Sequence, residues 1–270
     1  MAIDGSHIHV PTNWEDEESF VTCKEKERPH NEFHLNAMFD ILQKTYTDAV
    51  IQKYRTQKED EAMMKMIERT KYSNALAICD RGYESYNNMA HLQESGWKYI
   101  IRIKEPGGFG IADGLQLPER AEFDLSVNLS ITRRKNKNTK ELLKDRNRYR
   151  YIPNKVNFDY LPTAFKRSDP VPFFTLKFRI VRFCLCENSY EMLVTNLSED
   201  EFPIEELKTL YALRWGIETS FRNLNYVIGM LGFHSRKSES VAQEIYASLI
   251  MYNMTQFVSN CVQIPERERK

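Results

Sequence analysis

No apolar run in this chain approaches the roughly 20 residues that a membrane-spanning helix needs. Nor does its N-terminus carry a basic stretch followed by an apolar one, the mark of a secretory leader. Cysteines are few and scattered. Cys23, Cys79, Cys184, Cys186 and Cys261 cannot all pair, and none stands in a C-x-x-C step, which argues against a disulfide framework. These absences predict a cytoplasmic protein with no membrane partner. No internal repeat is evident.

An excess of charge of either sign is also missing, since 38 Lys and Arg balance 38 Asp and Glu. A chain that holds nucleic acid usually shows a basic surplus, so any such surface here must be local. One segment qualifies. Arg133 to Arg150 carries nine Lys or Arg against Glu141 and Asp145. That run is either a solvated loop or a phosphate-contacting surface, with Arg133, Arg134, Lys135 and Lys137 at its head. His7 and His9 have no Cys or His partner at a recognisable zinc spacing, so they are expected to be satisfied or solvated histidines.

The segment YALRWGIETSFRNLN, Tyr211 to Asn225, has the spacing of one helix. Tyr211, Arg214, Glu218 and Asn225 share a polar face at 100° per residue, while Leu213, Ile217, Phe221, Leu224 and Ile228 form an apolar stripe. Upstream, Asp4 in MAIDGS and Asp80 in ALAICDRGY each follow a short apolar run and are expected at strand ends. In combination these motifs resemble the DDE transposases of bacterial insertion sequences, in the branch with a Y-(2)-R-(3)-E-(6)-K motif. HLNAMFDILQKTYTDAVIQ at 34–52, LVTNLSEDEF at 193–202 and HSRKSESVAQEIYA at 234–247 also look like that family.

The resemblance implies a catalytic triad of Asp4, Asp80 and Glu218 holding two Mg2+ or Mn2+ ions for DNA cleavage and strand transfer. Three carboxylates suit such ions, which prefer oxygen ligands and keep several waters. It further implies that Tyr211 and Arg214 contact phosphates of the transposon end, and that the protein dimerises in a synaptic complex with transposon-end and target DNA. His234, Arg236 and Lys237 either extend that surface or form a polar loop between helices. Two positions depart from the pattern. Asn225 stands where the family motif has Lys, and Trp14, Trp97 and Trp215 all lie outside the insertion, where hairpin-forming relatives use a Trp. Only three residues precede Asp4, so a product lacking its N-terminal DNA-binding region is expected. A non-catalytic remnant that binds DNA or inhibits a full-length transposase, and a stand-alone nuclease, are the rival readings.

Period-two patterning predicts strands from Phe33 through Ile41, over Thr45–Tyr54, Ala75–Cys79 and Trp97–Lys104, with helices over 58–71 and 86–95. This order is similar to the ribonuclease-H-like fold, which would set the strands of Asp4 and Asp80 side by side. Strict alternation from Phe123 to Ile131 and from Phe174 to Ile180 predicts antiparallel strands, the second with a basic exposed face at Lys177 and Arg179. The expected division is a first core part at 1–104, a β-rich insertion at 105–197 and C-terminal core helices at 198–270. Ser198 or Asp200 would cap a helix that delivers Glu218, and a last helix from about Ser240 to Asn260 would cover the sheet with Val241, Ile245, Leu249 and Tyr252.

Overall fold

The computed structural model describes residues 1–22, 29–166, 169–187 and 189–262. Cys23 lies outside them. In chain order the elements are β1 (Ala2–Val10), β2 (Phe20–Val21), β3 (His30–Asp40), β4 (Thr45–Lys53), α1 (Glu59–Arg69), β5 (Leu76–Cys79), α2 (Tyr86–Glu94), β6 (Lys98–Ile103), β7 (Phe123–Thr132), α3 (Lys137–Leu142), β8 (Tyr149–Tyr151), β9 (Phe174–Cys186), β10 (Ser189–Thr195), α4 (Ile204–Ala212), α5 (Trp215–Tyr226) and α6 (Ser238–Cys261). Among the described residues no helix is long and apolar enough to cross a membrane. The class is α/β, mixed sheet with flanking helices, as the patterning predicts. Two compact units emerge, one made of residues 1–70 and 213–270, the other of residues 71–212.

In the first unit β3 is the middle strand. Ala37 pairs with Asp4 of β1 on one side and with Ala49 of β4 on the other, both antiparallel. Two faces follow from the strand period. On one, Ala2, Ile8 and Val10 join Phe33, Leu35, Ala37 and Phe39 under Ile217, Phe221 and Leu224 of α5 and Val241, Ile245, Leu249 and Tyr252 of α6. The other face is covered in part by α1, which buries Ala62, Met63, Met66 and Ile67. Because both faces are covered, β3 is buried along nearly its whole length, and its alternate residues Glu32, His34 and Asn36 are buried polar groups rather than a solvated row. Asn36 answers this by donating to Val50 O and Gln52 Oε1.

The second unit holds a mixed sheet in the order β5-β6-β10-β9-β7-β8. β5 and β6 are parallel, β10 is antiparallel to β6 and β9, and β7 is antiparallel to β9 and parallel to β8. Phe123, Val127, Leu129 and Ile131 are buried, as are Leu176, Phe178 and Ile180. The basic face expected on β9 is only half present. Lys177 is exposed, but Arg179 is buried. Its Nε donates to Asp124 Oδ1 at 3.0 Å, its Nη2 pairs with Asp124 Oδ2, and its Nη1 donates to the carbonyls of Leu197 and Phe202.

Two further expectations need correction. Asp4 does not end its strand, because β1 runs on to Val10. Along the continued strand, a Cβ on Gly5 would clash with His34 Nε2, so Gly5 leaves room for a buried imidazole. The helix expected across Tyr211–Asn225 is two helices. At Leu213–Arg214 the bonds tighten to Gly216 N to Leu213 O and Ile217 N to Arg214 O, a three-residue step that leaves Leu213 exposed instead of on the apolar stripe. Glu218 is therefore carried by α5 alone, and α4 starts only at Ile204, after Glu201 and Pro203.

Candidate active site

Asp4 lies on the face of β1 that α5 covers, a carboxylate among apolar neighbours. Its Oδ1 accepts from the Gly5 backbone N–H at 2.9 Å. Arg214 reaches it from the start of α5: Nη1 lies 3.4 Å from Asp4 Oδ2 and 2.5 Å from Glu218 Oε1. The i,i+4 spacing of Arg214 and Glu218 sets both side chains toward β1. One guanidinium nitrogen thus serves two carboxylates from opposite ends of the sequence. Arg214 is almost wholly buried, Asp4 largely so and Glu218 partly exposed. Its guanidinium also lies 5.1 Å from the Trp215 ring.

Asp80 belongs to the other unit. It follows β5 directly, at the predicted strand end, and its Oδ1 accepts from Gly82 N at 2.6 Å. That bond caps the short 3-10 turn Arg81–Tyr83. Tyr211 is buried near the end of α4, and Asn225 is half-buried in the last turn of α5.

The basic segment separates by role. Arg133 is buried and donates to the carbonyls of Pro153, Val156 and Phe158, which pins the stretch that follows β8. Arg134 donates to Asp169 O and lies over the Phe165 ring. Lys135 and Lys137 are exposed, the first above the Tyr151 ring, the second opening α3 under the Asn136 capping box. Arg236 and Lys237 are exposed just before α6. Sequence reasoning missed the buried Arg179–Asp124 pair, an acid and a base at diagonal positions of two alternating strands, where Asp124 stands opposite Val181 and Arg179 opposite Ser126. It also missed the partners of His7, which come from β3 across the strand pair rather than from nearby residues. His7 Nδ1 pairs with Glu32 Oε1.

Among solved structures, the chain is similar to piggyBac transposase, determined by cryo-EM as a synaptic complex with hairpin DNA, at a TM-score of 0.50 and 11% identity. That likeness covers 98% of this chain and 49% of the other, so the chain spans about half the length of that protein. At this identity the likeness concerns the fold alone, and it agrees with a ribonuclease-H-like core. No curated protein sequence matches. The family described as Transposase DDE domain matches over residues 1–254. With nearly its whole length aligned to that family, the chain belongs to the transposase DDE domain family.

Proposed function

We propose that this chain is the catalytic domain of an insertion-sequence transposase, cleaving DNA at the element's ends and joining it to a target. Members of the transposase DDE domain family normally use divalent metal ions. The residues that would hold them here are Asp4, Asp80 and Glu218. The observation that carries this reading is that Asp4 Oδ2 and Glu218 Oε1 both face Arg214 Nη1, since carboxylates that share one cation are spaced to share another. An all-oxygen donor set suits Mg2+ or Mn2+. When bound, two such ions activate the attacking oxygen and stabilise the leaving one.

The chain's own contribution is placement. Gly5 N–H fixes Asp4, Gly82 N–H fixes Asp80, and Arg214 fixes Glu218, so each carboxylate is oriented by a donor of its own. Arg214 balances the carboxylates in the metal-free protein and, with Tyr211, faces phosphates of the transposon end. Lys135, Lys137, Arg236 and Lys237 add sequence-independent phosphate contacts, and residues 105–197 act as the β-rich insertion between core parts 1–104 and 198–270. A dimer on paired ends is the working assembly.

Asn225, a neutral amide where the motif has Lys, favours the second reading, a non-catalytic relative that binds DNA or restrains an active transposase. The deciding experiment incubates the chain with labelled duplexes carrying the inverted repeats that flank its gene, with Mg2+ or Mn2+. Metal-dependent nicking at the repeat tip, lost in Glu218→Gln, supports catalysis. Retention of the duplex without nicking supports the second reading, and nicking indifferent to Glu218→Gln defeats the assignment of Glu218.

A further inference from the structure

β1 and β3 together present histidines that the DNA chemistry does not use. His7 and His9 alternate on β1, and His30, Glu32 and His34 alternate on β3, with His7 opposite His34 and His9 opposite Glu32. Period two puts this set on the face of β1 opposite Asp4. Five residues of extended chain separate His9 from Asp4, about 17 Å of strand.

At the outer end of this face three donors converge. Glu32 Oε2 lies 3.4 Å from His30 Nε2 and 3.9 Å from His9 Nε2, and all three atoms lie within 4.8 Å of one another. The two imidazoles face each other in parallel, centroids 4.4 Å apart. Glu32 is largely buried between them, while His9 is mostly exposed, so the group is open to solvent on one side. The other carboxylate oxygen is engaged by His7 Nδ1, which orients Oε2 toward the two rings.

We propose that His9, His30 and Glu32 bind one zinc-class transition-metal ion, independently of the carboxylate site. Ligand chemistry selects the ion. Two imidazole nitrogens and one carboxylate oxygen form a zinc donor set with a fourth position for water, whereas magnesium would seek oxygen alone. Geometry agrees. Zinc bonds of about 2.0–2.1 Å put tetrahedral ligand atoms about 3.3 Å apart, so only a small inward swing of the exposed His9 ring is needed. A buried carboxylate is also costly without a positive partner, and a dication supplies one. His7 acts as a positioning residue, holding Glu32 in the way that outer hydrogen bonds orient metal ligands. With ligands on both strands, the ion ties the end of β1 to the start of β3.

The test uses the full chain with accessible thiols alkylated and excess magnesium present, so that cysteines and the oxygen-only site do not compete. Zinc is titrated against a chromophoric chelator, and cobalt is substituted to report ligand geometry by its visible bands. One ion per chain is expected, with His30→Ala or His9→Gln weakening binding at least about tenfold and His7→Ala by about tenfold. Cobalt bands of a four- or five-coordinate site should disappear in His30→Ala. His9→Gln alters an exposed side chain, so it reports even where His30→Ala fails to fold by circular dichroism. A folded His9→Gln chain that binds zinc with the parent's affinity, or a parent that binds none, overturns the site.

Discussion

Arg214 Nη1 lies 2.5 Å from Glu218 Oε1, one turn along the chain, and the same nitrogen lies 3.4 Å from Asp4, contributed by the other end of the sequence. A buried guanidinium thus neutralises two carboxylates that would otherwise repel each other. Removing it leaves partly buried negative charge without compensation, a larger penalty than loss of a surface pair. Arg214→Ala should lower stability by about 1–3 kcal/mol in metal-free buffer, discounted for the exposure of Glu218. Mn2+ should then raise the melting temperature of the variant more than that of the parent, because the cation vacancy is already open. An unchanged melting temperature in chelator would show that the pair is not energetically coupled.

Asp80 has two separable duties, cap and proposed ligand. Asparagine keeps the acceptor oxygen that caps the Arg81–Tyr83 turn but removes the charge. Asp80→Asn should melt close to the parent and be inactive in end cleavage, whereas Asp80→Ala should also lose about 0.5–2 kcal/mol of stability. Cleavage by Asp80→Asn at the parent's rate would reduce Asp80 to its cap.

The cations of the basic segment should respond differently to the same substitution. Arg133→Ala strands three carbonyls and should destabilise the second unit by about 1–3 kcal/mol, read by chemical denaturation. Lys135→Ala and Lys137→Ala should leave stability unchanged and each lower the salt slope of DNA binding by about one, with no change in sequence preference. A salt slope that ignores both lysines would make this surface a solvated one.

Asp159 supplies a pH test of the second unit. The Asn87 amide, then the His91 ring, hold its carboxyl below the ordinary value of 3.8. The folded chain therefore favours the ionised form, and the associated stability is complete above the ordinary value and lost as pH falls below it. Asp159→Asn should melt lower than the parent at about pH 6, and the gap should narrow by about pH 3. A gap independent of pH would remove the carboxylate from the interaction.

Much of this was legible from pattern, and the exceptions have physical causes. The burial of Ala62, Met63, Met66 and Ile67 followed from helical period, and that of Val241, Ile245, Leu249 and Tyr252 likewise. Asp4 reads as a strand end because it follows a short apolar run, whereas β1 continues through Gly5, which is shaped by His34, a residue far along the chain. The break at Leu213 was invisible because Arg214 keeps helical dihedrals while the bonding shortens. Asp4, Arg214 and Glu218 were each recognisable by motif, but their shared bond was not, since tertiary pairing has no local signal. For the histidines the signal was present in a different form: H-x-H on one strand and H-x-E-x-H on its partner make a cluster only after register is known.

The first unit is written in two pieces, with residues 71–212 between them. During synthesis β1 to β4 and α1 emerge early, yet the face that holds Phe33, Leu35, Ala37 and Phe39 lacks its cover until α5 and α6 leave the ribosome. Tyr46 must likewise wait for Asn253, whose amide bonds both its N–H and its carbonyl. A nascent chain therefore carries an open apolar sheet until α5 and α6 follow, a state that is prone to aggregate. Completion of this unit is tied to α5 and α6, so a chain that stops short of α6 cannot close its core.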